Sequence, residues 1–240
     1  MATTYGLYLE SGPKHRKTMV HLPELWGCVF VGPTTEEALE GTPAVIRDYL
    51  AFVQRHGGDA DPKTEFDIRV EEHVTEGFWL GNGDPSIVFG ADKRGLAPRE
   101  VATAGERFTD LRGDIIAMLR PLEARRLAYK PAKGRALGHI ARHVLGAGPG
   151  YLGHVFGTRT EQNKLAGRAE KGELAAVEAL EAQRELILAD LGSMTPAQRK
   201  PTRLGGKEVW TSRKALRRLL EHEWEHHQEI ARRLAGPGER

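Results

Sequence analysis

Residues 209–234 read VWTSRKALRRLLEHEWEHHQEIARRL, and this stretch predicts one long helix near the end of the chain. The helix is expected to begin after Thr211 and to end at about Leu234, ahead of a Gly-Pro-Gly sequence. At about 100° per residue, one arc of this helix carries apolar residues together with two histidines. The members of this arc are Ala215, Leu219, His222, His226 and Ile230. We therefore expect both imidazole rings to face the interior of a helical domain.

Two buried imidazoles are costly unless their nitrogens find partners, and one metal ion shared by His222 and His226 would satisfy both. The alternative is a polar helix whose histidines bond glutamates and water. Residues 222–226 also spell H-E-x-x-H, the pattern of zinc metalloproteases. Such a protease needs a third ligand downstream, but among the 14 residues after His226 the only histidine is His227, about 100° round the helix. A third ligand must therefore come from another helix, and the candidates are His139, His143 and His154.

The rest of the second half is also predicted to be helical. Its apolar residues recur at alternating steps of three and four. Besides the last helix, they predict helical stretches at residues 101–122, 133–157 and 171–192. The sequence GAGPG at 146–150 predicts a kink or break, residues 195–196 start a short helical turn, and residues 203–210 are expected to form a loop. Four helices predict a bundle, whose metal and ligand sites form between facing helices.

The first 90 residues predict a small α/β unit in the order β-β-β-α-β, followed by a short final strand. Stretches rich in β-branched and aromatic residues predict strands at 4–9, 18–22, 27–31, 64–74 and a short last one at 86–90. The helix between them is expected to start at Thr34, with Glu37 completing a capping box. Pro43 predicts a break near Gly41, with Thr42 capping a restarted helix.

Composition and charge support two modules. Residues 1–100 carry 10 Lys and Arg against 16 Asp and Glu, a net charge of −6, whereas the remainder carries 25 against 17, a net of +8. The basic residues of the second half alternate with acids, which favours a solvated surface over a nucleic-acid site. One cysteine, no long apolar run and no signal-like start indicate a cytoplasmic protein without disulfides or membrane spans.

The segment HLPELWGCVFVGPTTEEALEGTPAVIRDYL, residues 21–50, is similar to the HicB-like family. The match rests on a Pro-x-Leu-x-Gly-Cys segment, a Gly-Pro-Thr-Thr turn and a Glu-Glu-Ala-Leu helix start, all in register. This resemblance implies an α/β fold for residues 1–95 and a protein partner for it. No DNA-binding segment of the kind that follows many such units is seen after residue 95. Cys28 is interpreted as a small buried residue without reactivity.

The helical half, residues 96–240, resembles the DinB superfamily of four-helix bundles. The resemblance is carried by HIARHVLGAGPGYLGHV at 139–155, where Tyr151 and Leu152 follow His143 by eight residues, and by the Trp-Thr start of the last helix. It implies a divalent ion (Zn, Ni, Fe, Co or Mn) held by His143, His222 and His226. His139 is the second choice in place of His143. GAGPG departs from the acidic-aromatic stretch common in the family.

The overall expectation is an α+β protein, a HicB-like module followed by a DinB-like bundle. The DinB-like resemblance implies a metal-dependent transferase or isomerase that uses a low-molecular-weight thiol, such as bacillithiol or mycothiol, and an electrophilic substrate. Glu223 and Tyr151 are the catalytic candidates, for orienting substrate or moving protons. The competing hypothesis is a non-enzymatic binding or regulatory protein, in which the HicB-like domain recognises a protein partner. Association into a homodimer is a further expectation.

Overall fold

The computed structural model describes residues 3–201 and 208–235, and these contain a four-stranded sheet and seven α-helices. The strands are β1 Thr3–Ser11, β2 Arg16–His21, β3 Val29–Thr34 and β4 Phe66–Val74. The helices are α1 Thr35–Arg55, α2 Pro98–Leu119, α3 Ala124–Ala128, α4 Leu137–Phe156, α5 Thr160–Glu170, α6 Ala176–Gly192 and α7 Ser212–Ala235. The predicted α+β class is therefore confirmed. Among the described helices none is long and apolar enough to span a bilayer.

Contacts divide the chain into two compact units. The first is Met1–Gly95 with Lys200–Glu221, and the second is Leu96–Arg199 with His222–Arg240. The first change of unit comes after Gly95, where the sequence also predicted a boundary. Of the described residues, 200–201 and 208–221 belong to the first unit, although the sequence predicted them in the second domain. The last helix thus contributes its first half to one unit and its second half to the other.

The sheet of the first unit has the strand order β3-β2-β1-β4. The β1–β2 and β2–β3 pairs are antiparallel, whereas β4 runs parallel to β1. Parallel pairing requires a crossover connection, and α1 provides it while packing on β2 and β3. Cys28 lies directly before β3, is fully buried, and its thiol pKa is raised by burial and then by the nearby Glu221. Its predicted lack of reactivity agrees with this setting.

Helix α1 is continuous, so the predicted break near Gly41 is wrong. The helix starts as expected, with the Thr34 hydroxyl accepting the Glu37 amide at 3.1 Å. Pro43 lies inside it, and its buried face continues on both sides of the proline, from Ala38 to Val53. Gly41 serves close packing instead, because a Cβ there would lie 2.6 Å from the Phe30 ring. Burial along the whole helix outweighs the one backbone hydrogen bond that proline removes.

The short strand predicted at residues 86–90 is absent. This segment is irregular and leads into a short 3-10 turn, Gly90–Lys93. Phe89 is nevertheless 1% exposed, and the Asp92 carboxylate accepts its backbone amide. The apolar run that predicted a strand therefore anchors a loop, since short apolar runs do not specify strand geometry by themselves.

The first half of α7 attaches to this unit through buried charges. Arg217 bonds both Asp92 oxygens at 2.8 Å and also bonds Glu221 at 2.9 Å. Glu221 accepts from His21 Nδ1 at 2.9 Å and from Arg218 at 2.8 Å. The charges are therefore paired within the unit, which is a requirement for their burial.

The second unit contains more helices than the four that were predicted. A shared apolar core joins residues from α2, α4, α5, α6 and α7. Helices α3 and α5 had no predicted counterpart. Helix α4 is continuous through GAGPG, so the predicted break there is wrong. Val144, Leu145, Leu152 and Val155 are buried on either side of that segment, and their packing outweighs its poor helix propensity.

The remaining local predictions have mixed outcomes. Thr195 and Gln198 exchange backbone and side-chain hydrogen bonds, and the Arg199 amide donates to the Thr195 carbonyl at 3.2 Å, so the predicted cap and single helical turn are confirmed. Most of the loop predicted at 203–210 lies outside the described residues, as does the Gly-Pro-Gly sequence after α7. The HicB-like and DinB-like architectures stay predictions.

Candidate metal centre

Helix α7 turns its second half toward the core of the helical unit. His222 and His226 are 8% and 7% exposed, and Ile230, one turn further along, is fully buried. Residues four apart share one helical face, so the apolar arc of the sequence carries both histidines inward. This confirms the predicted burial of the pair.

Three histidines meet between α4 and α7. The Nε2 atom of His222 lies 3.0 Å from His143 Nε2 and 3.2 Å from His226 Nε2. The ligand atoms of all three lie within 4.8 Å of one another. Among the described residues this is the one group of three His, Cys, Asp or Glu side chains with ligand atoms so close. The structure therefore brings together the three residues that the DinB-like resemblance implies.

A carboxylate fixes the orientation of the His226 ring. Glu229 Oε2 lies 2.7 Å from His226 Nδ1, and because a carboxylate only accepts, Nδ1 carries the proton and donates it. In the neutral ring the lone pair is then on Nε2, the atom that faces the other two histidines. Arg135 donates to the same Glu229 oxygen at 2.8 Å and lies 3.4 Å from His226 Nδ1. This carboxylate–histidine pairing is the arrangement that usually supports metal-bound imidazoles.

The surroundings shift the pKa values of two groups at the cluster. Loss of water around the ring, then the neighbouring His226 and Arg135, lower the pKa of His143 to about 4. Burial by itself would raise the pKa of Glu229, but the hydrogen bonds from His226 and Arg135 lower that pKa to about 2. At neutral pH, His143 is therefore neutral with a free lone pair, and Glu229 is ionised.

The described cluster fits a divalent cation. Two nitrogen ligands that each lie about 2.1 Å from one ion are roughly 3.0 to 3.4 Å apart at right-angled to tetrahedral geometry. The observed separations of 3.0 and 3.2 Å fall in this range. If all three Nε2 atoms carry lone pairs, these repel one another unless a cation lies among them; without a cation, an N–H···N hydrogen bond between two of the rings also fits separations of 3.0 and 3.2 Å. His143 is exposed, so the cluster is reachable from solvent on the α4 side.

The other candidate histidines lie outside this cluster. His139 is exposed one turn earlier on α4, and His154 is half-buried toward its end. His227 has its Nε2 3.2 Å from Asp114 Oδ2, and its ring stacks on Trp224. The structure therefore selects His143 over His139 as the third member of the group.

The two catalytic candidates have different environments. The Tyr151 ring lies 5.9 Å from the His222 ring, centroid to centroid, which leaves the tyrosine beside the cluster. Glu223 is 1% exposed, and Arg112 binds both of its oxygens, at 2.5 and 3.0 Å. Arg112 also donates to Gln183 Oε1 and to the Leu180 carbonyl. Glu223 is thus held in a buried ion pair, and the predicted proton transfer by this residue has no support in its contacts.

Glu229 and Arg135 also contact the cluster, although the sequence pattern assigned neither of them a role in it. A signal for Glu229 existed, because it lies three residues after His226 and such pairs are neighbours on a helix. Arg135 had no local signal. It precedes α4 in the chain, and only the folding of that segment brings it to α7.

No protein-family model, curated protein or solved structure matches the chain. The resemblances to the HicB-like and DinB-like families therefore stay predictions from sequence. The geometry of the histidine cluster is therefore what supports a function for this protein.

Proposed function

We propose that this protein binds a divalent metal ion through His143, His222 and His226, and that the ion activates a small molecule. The observation that carries this proposal is the convergence of three Nε2 atoms, with separations of 3.0 and 3.2 Å at His222. The hydrogen bond from His226 to Glu229 supports it, because that bond leaves Nε2 unprotonated.

The chemistry we propose is the thiol-dependent transfer or isomerisation implied by the DinB-like resemblance. An ion held by three neutral imidazoles keeps open positions, and it would favour the thiolate form of a low-molecular-weight thiol at neutral pH. The cluster's own residues support this in two ways: His143 opens the site to solvent, and the Tyr151 ring borders His222. Which of Zn, Ni, Fe, Co or Mn is bound does not follow from three histidine ligands.

Metal content tests the binding site directly. We expect the natively purified wild type to carry close to one equivalent of a divalent metal, and His226→Ala to carry little. His139→Ala is the matched control, because this histidine lies on α4 one turn from His143 and outside the cluster; it should retain the metal. Adding metal to metal-free protein should raise the Tm of the wild type and of His139→Ala, because a ligand that binds the native state stabilises that state. The Tm of His226→Ala should not rise. Equal, negligible metal in wild type and His226→Ala would refute the site.

Thiol transfer is tested separately, on protein whose metal content is known. Metal-loaded protein is given a low-molecular-weight thiol and an aromatic electrophile, and product is followed by mass spectrometry. We expect product with the wild type and none with His226→Ala. The competing proposal, a non-enzymatic protein whose first unit binds a protein partner, predicts bound metal without transfer and a stable complex in a pull-down.

A further inference from the structure

An exposed aromatic pair lies in the loop after β4. The Phe78 side chain is 98% exposed and that of Trp79 is 56% exposed. Large apolar side chains are usually scattered singly on a surface, whereas adjacent exposed aromatics mark places where another molecule is contacted.

Buried carboxylates hold this loop in place. Asp84 Oδ2 accepts the Trp79 amide at 2.7 Å, and Asp84 Oδ1 accepts the Ser86 amide at 2.8 Å. The Glu10 carboxylate, only 1% exposed, accepts the Asp84 amide at 3.1 Å. Leu80, directly after the aromatic pair, is buried. The two rings are therefore presented by a fixed backbone, which reduces the entropy lost on binding.

A basic hairpin lies against this loop. Where the chain turns from β1 into β2 it exposes four consecutive basic residues, Lys14, His15, Arg16 and Lys17, the last two of which begin β2. Within the described ranges none of them pairs with a carboxylate. Lys17 Nζ contacts Asn82 Oδ1, and a Cβ on Gly81 would lie 1.8 Å from the Lys17 carbonyl oxygen. The hairpin and the aromatic loop are thus in backbone contact, and together they form one surface.

We propose that the surface formed by Phe78, Trp79, Lys14, Arg16 and Lys17, the aromatic-basic surface, binds single-stranded nucleic acid. Single strands are bound by cations that follow the phosphates and by aromatic rings on which the bases stack. This surface offers both, in a stretch of chain whose net charge is otherwise negative. An acidic peptide would match the cations but would leave the aromatic faces without a flat partner. The predicted lack of a DNA-binding helix is compatible, because single strands need none.

The surface offers only three strong cations to a polyanion, Lys14, Arg16 and Lys17. Glu76 adds one exposed carboxylate to the loop itself. The strand is therefore expected to contact few phosphates and to depend on stacking.

The test is fluorescence anisotropy with the full-length protein and a labelled oligouridylate of about 12 nucleotides, a length within known site sizes for single strands. An abasic oligonucleotide of equal length and charge is the matched ligand. We expect the wild type to bind the abasic strand about 10-fold more weakly than oligouridylate, because the abasic strand has no bases to stack. Trp79→Ala and Phe78→Ala should each bind oligouridylate about 10-fold more weakly than the wild type does, because each removes one stacking ring. If three basic side chains each bind a phosphate, a plot of log Kd against the logarithm of the salt concentration should have a slope of about 2.

Two variants control for nonspecific effects. Val70→Ser removes another exposed apolar side chain of this unit, on β4, and Lys63→Glu reverses an exposed charge in the loop before that strand. Both should bind like the wild type, whereas Lys14→Glu with Arg16→Glu should abolish binding. Circular dichroism checks that every variant is folded.

Three results would overturn the proposal. The first is equal affinity for the abasic and normal strands. The second is tight binding of polyglutamate that does not depend on Trp79, which would indicate an acidic protein partner. The third is binding to anionic vesicles without binding to the oligonucleotide. None of these depends on the metal centre, so this proposal and the proposed function can fail independently.

Discussion

Single residues at the histidine cluster determine how the rings are oriented. His226 can serve as a ligand through Nε2 because Glu229 accepts its Nδ1 proton at 2.7 Å. Arg135 in turn holds Glu229 at 2.8 Å. A helix position that looks like an ordinary surface glutamate in the sequence therefore orients a ring, and this role depends on charge as well as on hydrogen bonding.

Replacing Glu229 by Gln should weaken metal binding without removing a ligand. The amide can still accept from Nδ1, but the negative charge that raises the basicity of the ring is lost, so we expect affinity to fall by about 10- to 100-fold. The measurement is titration of metal-free protein against a competing chelator. Glu225→Gln, on the same helix but outside the cluster, should bind like the wild type. Unchanged affinity in Glu229→Gln would remove the carboxylate from the site.

At the scale of elements, one buried ion pair connects α2 to α7. Arg112 is fully buried on α2 and binds both oxygens of Glu223 on α7. Glu223 lies between His222 and His226 in the chain, so its fixed position also fixes the rotation of α7. The ion pair thereby keeps His222 and His226 on the side of α7 that faces α4.

Replacing Arg112 by Met should destabilise the helical unit by about 3 to 5 kcal/mol, because it leaves the Glu223 charge buried and unpaired. The double variant Arg112→Met with Glu223→Leu should recover much of that loss, since an apolar pair needs no compensation. Urea unfolding of metal-free protein measures both. Lys164→Ala, which breaks an exposed pair with Glu161, should cost less than about 1 kcal/mol. A double variant no more stable than Arg112→Met would contradict the ion-pair explanation.

For the whole molecule, the response to acid is expected to depend on Glu221. Burial by itself would raise its pKa, but Arg217, then His21 and Arg218, hold that pKa well below the ordinary value of 4.5. A carboxyl whose pKa is lower in the folded state stabilises the fold above its unfolded pKa, and this contribution is lost as the pH falls below it. The network is therefore fully stabilising at neutral pH and weakens below about pH 4.5.

Glu221→Gln should accordingly lower the free energy of unfolding by about 1.5 to 3 kcal/mol at pH 7, the usual contribution of hydrogen bonds to a charged group. The difference from the wild type should narrow at pH 3. Urea unfolding measures this difference in the free energy of unfolding. A chelator is present so that protonation of metal ligands does not contribute to the pH dependence. Glu65→Gln, at an exposed site of the same unit, should stay within about 0.5 kcal/mol of the wild type at both pH values. A difference independent of pH would rule out the charge of Glu221 as its cause.

Features that repeat along a single element could be predicted from the amino-acid sequence. The spacing of apolar residues in α7 fixed its bounds and the inward face of His222 and His226, because helical period is a local property. The strands at 4–9, 18–22 and 64–74 were predicted on the same basis, as was the cap of α1 at Thr34.

Features that depend on packing and on contacts between distant residues became visible in the three-dimensional fold. Helices α1 and α4 continue through Pro43 and GAGPG because burial on both sides of these breakers outweighs local propensity. Residues 86–90 anchor a loop instead of forming a strand. The ion pair of Glu223 with Arg112, and the hydrogen bond from Arg135 to Glu229, join residues roughly 90 to 110 positions apart. Periodicity carries no information about such pairs, so the role of Glu229 followed from the fold, whereas His143 was already implied by the DinB-like resemblance and the fold brought it to the other two histidines.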